Sequence, residues 1–331
     1  MKKRDIVVIG GSAGSLSVLK KLVGRLPSDF PAAIFIVWHI SPDSPGTLPE
    51  VLNRFGSLAS VNAKDLEKIE KGRIYVAPPD HHLLLEDSRV RVSRGPKENR
   101  FRPAVDPLFR SAAQYYGSRV IGVILSGGLD DGTAGLWTVK ERGGLAIVQD
   151  PHDAESTSMP ISALRKVTVD YCVQSSEIAD LLVRLVNEEV KEEVEVDMEE
   201  NRKTKIEVGI ADEDGSIEKG VLELGDPSMF ACPECHGVLV KITEGDVIRF
   251  RCHTGHAYSS GTLLASLNEA VEDSFWNTVR ALDESFMLLN HLSRHLKDKD
   301  NELAELYEKK AHELQRRSTK VREIVLENGN H

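Results

Sequence analysis

Ile6-Val7-Val8-Ile9-Gly10-Gly11-Ser12-Ala13-Gly14-Ser15 is the stretch from which the fold is read. Its four consecutive apolar residues predict a strand buried on both faces, because a half-exposed strand would alternate apolar with polar. Glycines end the run, and Leu16 to Leu26 continues with helical spacing. Strand, glycine-rich turn and helix together open an α/β unit. Two readings of the turn compete. A dinucleotide-binding turn needs Gly-x-Gly-x-x-Gly and an acid at the end of the next strand. Here Ser12 occupies the second glycine position, and the next strand ends in Trp38-His39. A Walker-type loop would need Gly-Lys-Ser/Thr, which is lacking. The other reading is a nucleophile turn, with the Ser12 hydroxyl at a helix N-terminus whose free N–H groups favour developing negative charge. A turn of this kind also serves as a purely structural or ligand-binding connection.

Outward from this stretch the pattern repeats. Apolar runs recur at Ala33–Trp38, Arg73–Ala77, Val120–Leu125 and Leu145–Gln149, separated by helical segments. The expected fold is α/β, a doubly wound, mostly parallel sheet with helices on both faces. Leu83–Glu86 and Arg89–Val92 read as a hairpin across Asp87-Ser88. His39 ends the second strand, and Asp131 follows another in Leu125-Ser126-Gly127-Gly128-Leu129-Asp130-Asp131-Gly132. In a parallel sheet Ser12, His39 and Asp131 all fall on the carboxyl edge, where α/β active sites form. A neutral imidazole can take the serine proton, and a carboxylate can orient the ring. Taken singly, His39 is equally an ordinary surface or core histidine. Asp131 is equally a helix N-cap before Gly132-Thr133-Ala134, and Asp130 is its rival as the orienting acid.

Residues 4–186 resemble the chemotaxis-receptor methylesterase (CheB) family. The resemblance rests on Val8-Ile9-Gly10-Gly11-Ser12-Ala13-Gly14, Val37-Trp38-His39-Ile40, Ile74-Tyr75-Val76-Ala77-Pro78-Pro79-Asp80-His81-His82, Val105-Asp106-Pro107-Leu108-Phe109-Arg110, Val123 to Gly132, Gln149-Asp150 and Met159-Pro160, all in the same order. It implies hydrolysis of glutamate γ-methyl esters on a methyl-accepting receptor or related signalling protein, with deamidation of glutamines as a second activity. By the same resemblance Ser12 is the nucleophile, His39 the base and Asp131 the orienting acid, with Gly128 a candidate oxyanion donor by position. No cofactor is implied for catalysis. Ser15 stands where the family's turn usually has a second glycine, and Trp38 where a polar residue is common. Both are expected to alter substrate choice. The strand before Ser12 begins near Asp5, so the resemblance comes without the phosphorylatable receiver domain of the familiar member, and regulation by phosphorylation in cis is not expected. The alternatives are a non-catalytic signalling scaffold and an esterase for a non-chemoreceptor substrate. Three unrelated triad residues argue against the scaffold.

Residues Glu188 to Glu200 hold eight carboxylates and one lysine, which predicts a solvated linker. The expected organisation is a catalytic domain at 1–187, an acidic linker at 188–228, a zinc-ribbon-like module at 229–258 and a helical hairpin at 259–331. In the module, Cys232-Pro233-Glu234-Cys235 and Cys252-His253-Thr254-Gly255-His256 frame a hairpin whose turn is Glu244-Gly245-Asp246. Three thiolates and one imidazole suit tetrahedral zinc. Cys232, Cys235, Cys252 and His256 are the expected ligands, with His253 the rival for the fourth place. The zinc is expected to be structural, because a module of about 30 residues buries too little core to fold unaided. Cutting the chain near residue 187 should then leave hydrolysis intact. Beyond it, apolar residues from Leu264 to Leu289 and from Leu303 to Ile324 recur in helical steps around Lys297-Asp298-Lys299-Asp300. They predict a hairpin suited to packing or self-association.

The 331 residues carry a formal charge of -10, with 40% apolar content. The charge argues against nucleic acid as the main partner. No stretch reaches the roughly 18 apolar residues that a membrane span requires. A cytoplasmic, non-membrane-inserted protein with reduced cysteines is the expectation.

Overall fold

Strand β1 (Ile6–Gly11) lies inside a parallel sheet that includes β2 (Ala33–Trp38), β3 (Ala59–Asn62), β4 (Arg73–Val76), β7 (Val120–Ile124), β8 (Leu145–Gln149) and β9 (Tyr171–Val173). The computed structural model describes residues 2–190, 194–212 and 216–328. Met1, residues 191–193 and 213–215 of the expected linker, and residues 329–331 at the end of the expected hairpin lie outside the described residues. Among the described residues the sheet has seven strands in the order β3-β4-β2-β1-β7-β8-β9, and every adjacent pair is parallel. The chain runs from β1 through β2 to the edge strand β3, returns to insert β4 between β3 and β2, and then winds outward in the other direction from β7. The switch point between β1 and β7 is where α/β sheets open a crevice beyond their carboxyl ends.

Side chains of β1 alternate between two cores. Ile6 and Val8 join Phe35, Val37, Leu108, Phe109 and Leu136 on one face. Val7 and Ile9 join Leu19, Leu22, Ile34, Ile36 and Leu182 on the other. The second face is covered by α1 (Ser15–Arg25), α2 (Leu48–Leu52) and α6 (Ile178–Leu185), and the first by α3 (Val105–Tyr116), α4 (Thr133–Glu141) and α5 (Ser158–Lys166). Doubly buried strands need apolar residues at successive positions, which is why they read as continuous runs. Beside α3 lies the hairpin β5 (His82–Glu86) and β6 (Arg89–Ser93).

The expected linker contains a helix, α7 (Met198–Asp212). It is not uniformly solvated: Val208, Ile210, Ala211 and Glu207 are buried. A small antiparallel sheet follows, formed by β10 (Asp226–Ala231), β11 (Val238–Glu244), β12 (Val247–Cys252) and β13 (Ala257–Ser259). Met1–Leu263 forms one compact unit and Leu264–His331 another. The small sheet therefore belongs to the unit that holds the parallel sheet.

In the second unit, α8 (Ser260–Leu296, beginning in the first unit) and α9 (Asn301–Asn328) meet at a short break. Val279, Ala304, Ala311 and Val325 are buried, and Ser318 hydrogen-bonds Asp283 at 2.6 Å. Leu264, Leu267 and Val271 remain exposed. Among the described residues, no helix is long and apolar enough to cross a membrane.

Candidate active site and metal-ligand cluster

Ser12 follows β1 directly, at the entrance to α1. Gly14 is the N-cap of that helix with φ +80°, a left-handed conformation that suits glycine. The Ser12 N–H donates to Ser126 O at 2.9 Å. Its carbonyl accepts from Ser15 N at 3.1 Å, Ser15 Oγ at 2.6 Å and Trp38 Nε1 at 3.1 Å. Ser15 and Trp38 thus both brace the backbone of Ser12.

His39 follows β2, and its Nε2 lies 2.8 Å from Asp131 Oδ2. Its Nδ1 is buried with no hydrogen-bond partner among the described residues. Ser12 and His39 line one open cleft of about 380 Å³, with Lys97, Arg100 and Arg102 also along it. Phe101 stacks on the His39 ring, with centroids 3.8 Å apart and planes 9° apart.

Asp131 is 1% exposed yet heavily hydrogen-bonded. Besides His39, it accepts from Val105 N at 2.7 Å, Gly132 N at 2.9 Å and Asn99 Nδ2 at 2.8 Å. Burial alone would raise this carboxyl, but the bonded His39 ring, with Val105 and Asn99, holds it below its ordinary value. Asp130 points elsewhere, to Lys166 at 3.3 Å and to the Ser259 hydroxyl. Asp106, buried beside Asp131, accepts from Gly135 N at 2.6 Å and Asn99 Nδ2 at 2.8 Å. Burial, reinforced by the Asp131 charge, pushes its carboxyl up to about 7.

Gly127 N donates to Ser156 O at 3.0 Å, whereas the Gly128 N–H has no partner among the described residues. A Cβ on Gly127 would lie 2.9 Å from Ser12 Cβ, and one on Gly128 would meet nothing within 4 Å. The strand-to-helix loop therefore passes against Ser12 and opens at Gly128.

Asn99 and Phe101 lie outside the sequence motifs, and Asp106 lies within one without a role assigned to it there. Asn99 and Arg100 form a tight turn, with φ +51° and +76° and the Phe101 N–H bonded to Glu98 O at 2.9 Å. Two successive left-handed residues mark a type I′ turn, which asparagine tolerates well. Asn-Arg is a weaker turn signature than Asn-Gly, so little in the sequence announced it.

On the small sheet, Cys232, Cys235, Cys252 and His256 converge, with one ligand atom from each lying within 4.8 Å of the others. Cys235 and Cys252 sulfurs are 3.5 Å apart, and His256 Nδ1 is 3.7 Å from Cys232 Sγ and 3.6 Å from Cys252 Sγ. A tetrahedral ion with sulfur ligands at about 2.3 Å would separate them by roughly 3.7 Å, so the four side chains could hold a metal. His253 is not in the cluster.

Fold and site define a class: a parallel α/β protein that gathers a serine, a histidine and a carboxylate at the carboxyl edge of its sheet. The family model for the CheB methylesterase matches residues 7–182, and the chain belongs to that family. A Leptospira interrogans protein named for protein-glutamate methylesterase/protein-glutamine glutaminase activity is 42% identical over 182 residues, 55% of this chain and 94% of its own length. A similarly named Thermotoga maritima protein is 36% identical, and the match covers 55% of this chain and 54% of that one. The crystal structure of the Thermotoga maritima CheB methylesterase catalytic domain matches with a TM-score of 0.54 at 35% identity, covering 56% of this chain and all of that one.

Proposed function

We propose that the chain is a protein-glutamate methylesterase that hydrolyses glutamate γ-methyl esters on a methyl-accepting receptor or related signalling protein. Ser12 Oγ attacks the ester carbonyl while His39 Nδ1 takes its proton. Methanol leaves with that proton, and a water activated by the same ring hydrolyses the acyl-enzyme. Asp131 orients His39 and stabilises the imidazolium. The Gly128 N–H, unpartnered in the loop that passes against Ser12 at Gly127, serves as the oxyanion donor in this reading. Glutamine side chains at the same site would be deamidated by the same steps, releasing ammonia instead of methanol.

The observation that carries this reading is the His39–Asp131 pair. The ring's Nε2 is engaged by Asp131 and its Nδ1 has no partner among the described residues, while His39 and Ser12 line the same cleft. The test is methanol release from a methylated receptor. Wild type should release it, and Ser12→Ala should lose at least about a hundredfold in rate while staying folded. A loss under tenfold would overturn the assignment.

The cysteine–histidine cluster is read as a structural zinc site with all four positions filled by protein. Protein purified without chelator should contain one zinc per chain, and Cys232→Ser should contain none. The protein is read as cytoplasmic, and the exposed stripe at Leu264, Leu267 and Val271 is read as a self-association surface.

A further inference from the structure

Asn99 has partners on both sides. Inward, its Nδ2 donates to Asp131 Oδ1 and to Asp106 Oδ2, each at 2.8 Å. Outward, its Oδ1 accepts from Ser259 N at 2.8 Å and Thr262 Oγ1 at 3.2 Å, and its backbone N–H donates to Ala257 O at 2.7 Å. Every one of those outward partners lies on β13 or the first turn of α8. Asn99 is 2% exposed, so water offers no substitute.

β13 is in turn held by the cysteine-bearing knuckle. It pairs with β12, Phe250 against Tyr258. The turn between them carries Cys252 and His256, closed by Cys252 N to His256 O at 3.0 Å. His256 immediately precedes Ala257. A metal joining Cys252 and His256 to Cys232 and Cys235 would therefore fix the strand that grips Asn99. A buried ion cluster ties the same parts together. Arg251 of β12 reaches Glu98, the neighbour of Asn99, at 2.7 Å, and Glu98 also pairs with Arg110 of α3.

We propose that Asn99 is a positioning residue for the hydrolase, and that the small sheet sets the alignment of Asp131, and through it His39, by holding Asn99. Metal loading of the cysteine–histidine cluster then governs the reactivity of Ser12 without touching it. The amide also separates two buried carboxylates, so its loss frees Asp131 to move away from His39. The proposal rests on the Ser12–His39–Asp131 reading given above.

The test uses the full chain and a fluorophosphonate probe, which labels an activated serine without requiring a receptor. Labelling of the zinc-loaded wild type should map to Ser12. Asn99→Ala should retain its zinc yet lose about tenfold or more in the maximal labelling rate, with probe affinity within threefold, because a positioning defect acts on the bond-forming step. Stripping zinc from wild type should cost a similar factor, restored by zinc. Stripping Asn99→Ala should cost less than about twofold more, since both changes break one coupled path. Thr262→Val, which removes the hydroxyl from Asn99 Oδ1 and from Ser259 but leaves the Ser259 N and Ala257 O bonds to Asn99 in place, should lose a smaller, measurable fraction and keeps the test readable if Asn99→Ala misfolds. Equal labelling by all forms, or a stripping penalty in Asn99→Ala as large as in wild type, overturns the proposal alone. Failure of wild type to label at Ser12 overturns the triad reading and the proposal with it.

Discussion

Asp130 and Asp131 are adjacent in sequence and opposite in use. Asp131 meets the His39 ring, and Asp130 meets Lys166 and the Ser259 hydroxyl. Asp131→Asn should cost about 10²–10⁴-fold in methanol release, as expected when the orienting acid of a triad loses its charge. Asp130→Asn should cost less than tenfold, and the reverse order would mean that the carboxylates have been misassigned. Asp106 provides a second check. Its carboxyl, pushed up to about 7 by burial and by the Asp131 charge, should show a carbon-13 shift titrating near neutrality. Removing the Asp131 charge should move that titration to lower pH, because a like charge disfavours ionisation. An unchanged midpoint in Asp131→Asn would break the inferred coupling. Ser15 and Trp38 act on the Ser12 carbonyl, so Trp38→Phe should cost about 1 kcal/mol of stability for the lost hydrogen bond. Its denaturant midpoint measures this.

At the scale of elements, α7 and β12 meet through buried charge. Arg249 pairs with Glu207 at 2.6 Å and Glu244 at 2.7 Å, and Arg251 reaches Glu207 at 3.1 Å. A run of acidic residues ordinarily stays in water, which is why residues 188–228 read as a linker. Three buried arginines, Arg110, Arg249 and Arg251, change that outcome for Glu207. Removing one partner of such a cluster leaves charge buried and unpaired, so Glu207→Ala should cost about 3–5 kcal/mol by denaturant unfolding. The cluster also sets an acid limit. Burial would raise Glu98 and Glu207, but the arginines hold both below the ordinary glutamate value of 4.5, with Glu207 well below it. Their contribution is therefore present above pH 4.5 and is lost as pH falls through their folded values. Glu244, raised by burial, opposes this in part. Unfolding midpoints should drop below pH 4.5 in wild type and flatten in Glu207→Gln.

At the scale of the whole molecule, the small sheet is part of the hydrolase unit. The sequence reading expected a chain cut near residue 187 to stay active. The structure argues otherwise, because such a cut removes Ser259, Arg249, Arg251 and Glu207 from Asn99, Glu98 and Arg110. A chain ending at Leu263, the limit of the first unit, should hydrolyse ester within about twofold of the full chain. A chain ending at residue 187 should lose at least tenfold, in keeping with a broken supporting shell. Parallel assays of the two truncations decide between these views, and full activity of the shorter one would restore the separable catalytic domain.

The parallel sheet, its turn at Ser12 and the cysteine spacing were legible in the sequence because each has a local cause. A doubly buried strand must be apolar at every position, a tight strand-to-helix turn selects glycine, and metal knuckles need close ligand pairs. The placement of Ser12, His39 and Asp131 at one sheet edge followed from strand ends, and the choice of Asp131 over Asp130 from the family resemblance. Other features have no local mark. Asn99 is one asparagine in a polar turn, and Glu207 is one glutamate among many. Their roles arise from partners far along the chain: Asp131 and Ser259 for Asn99, Arg249 and Arg251 for Glu207. Burial supplies the reason, since a polar group withdrawn from water must find its partner in the fold. Local sequence therefore determined the sheet and the candidate nucleophile, and tertiary packing alone decided that the cysteine-bearing sheet bonds Asn99, which in turn bonds the acid behind His39.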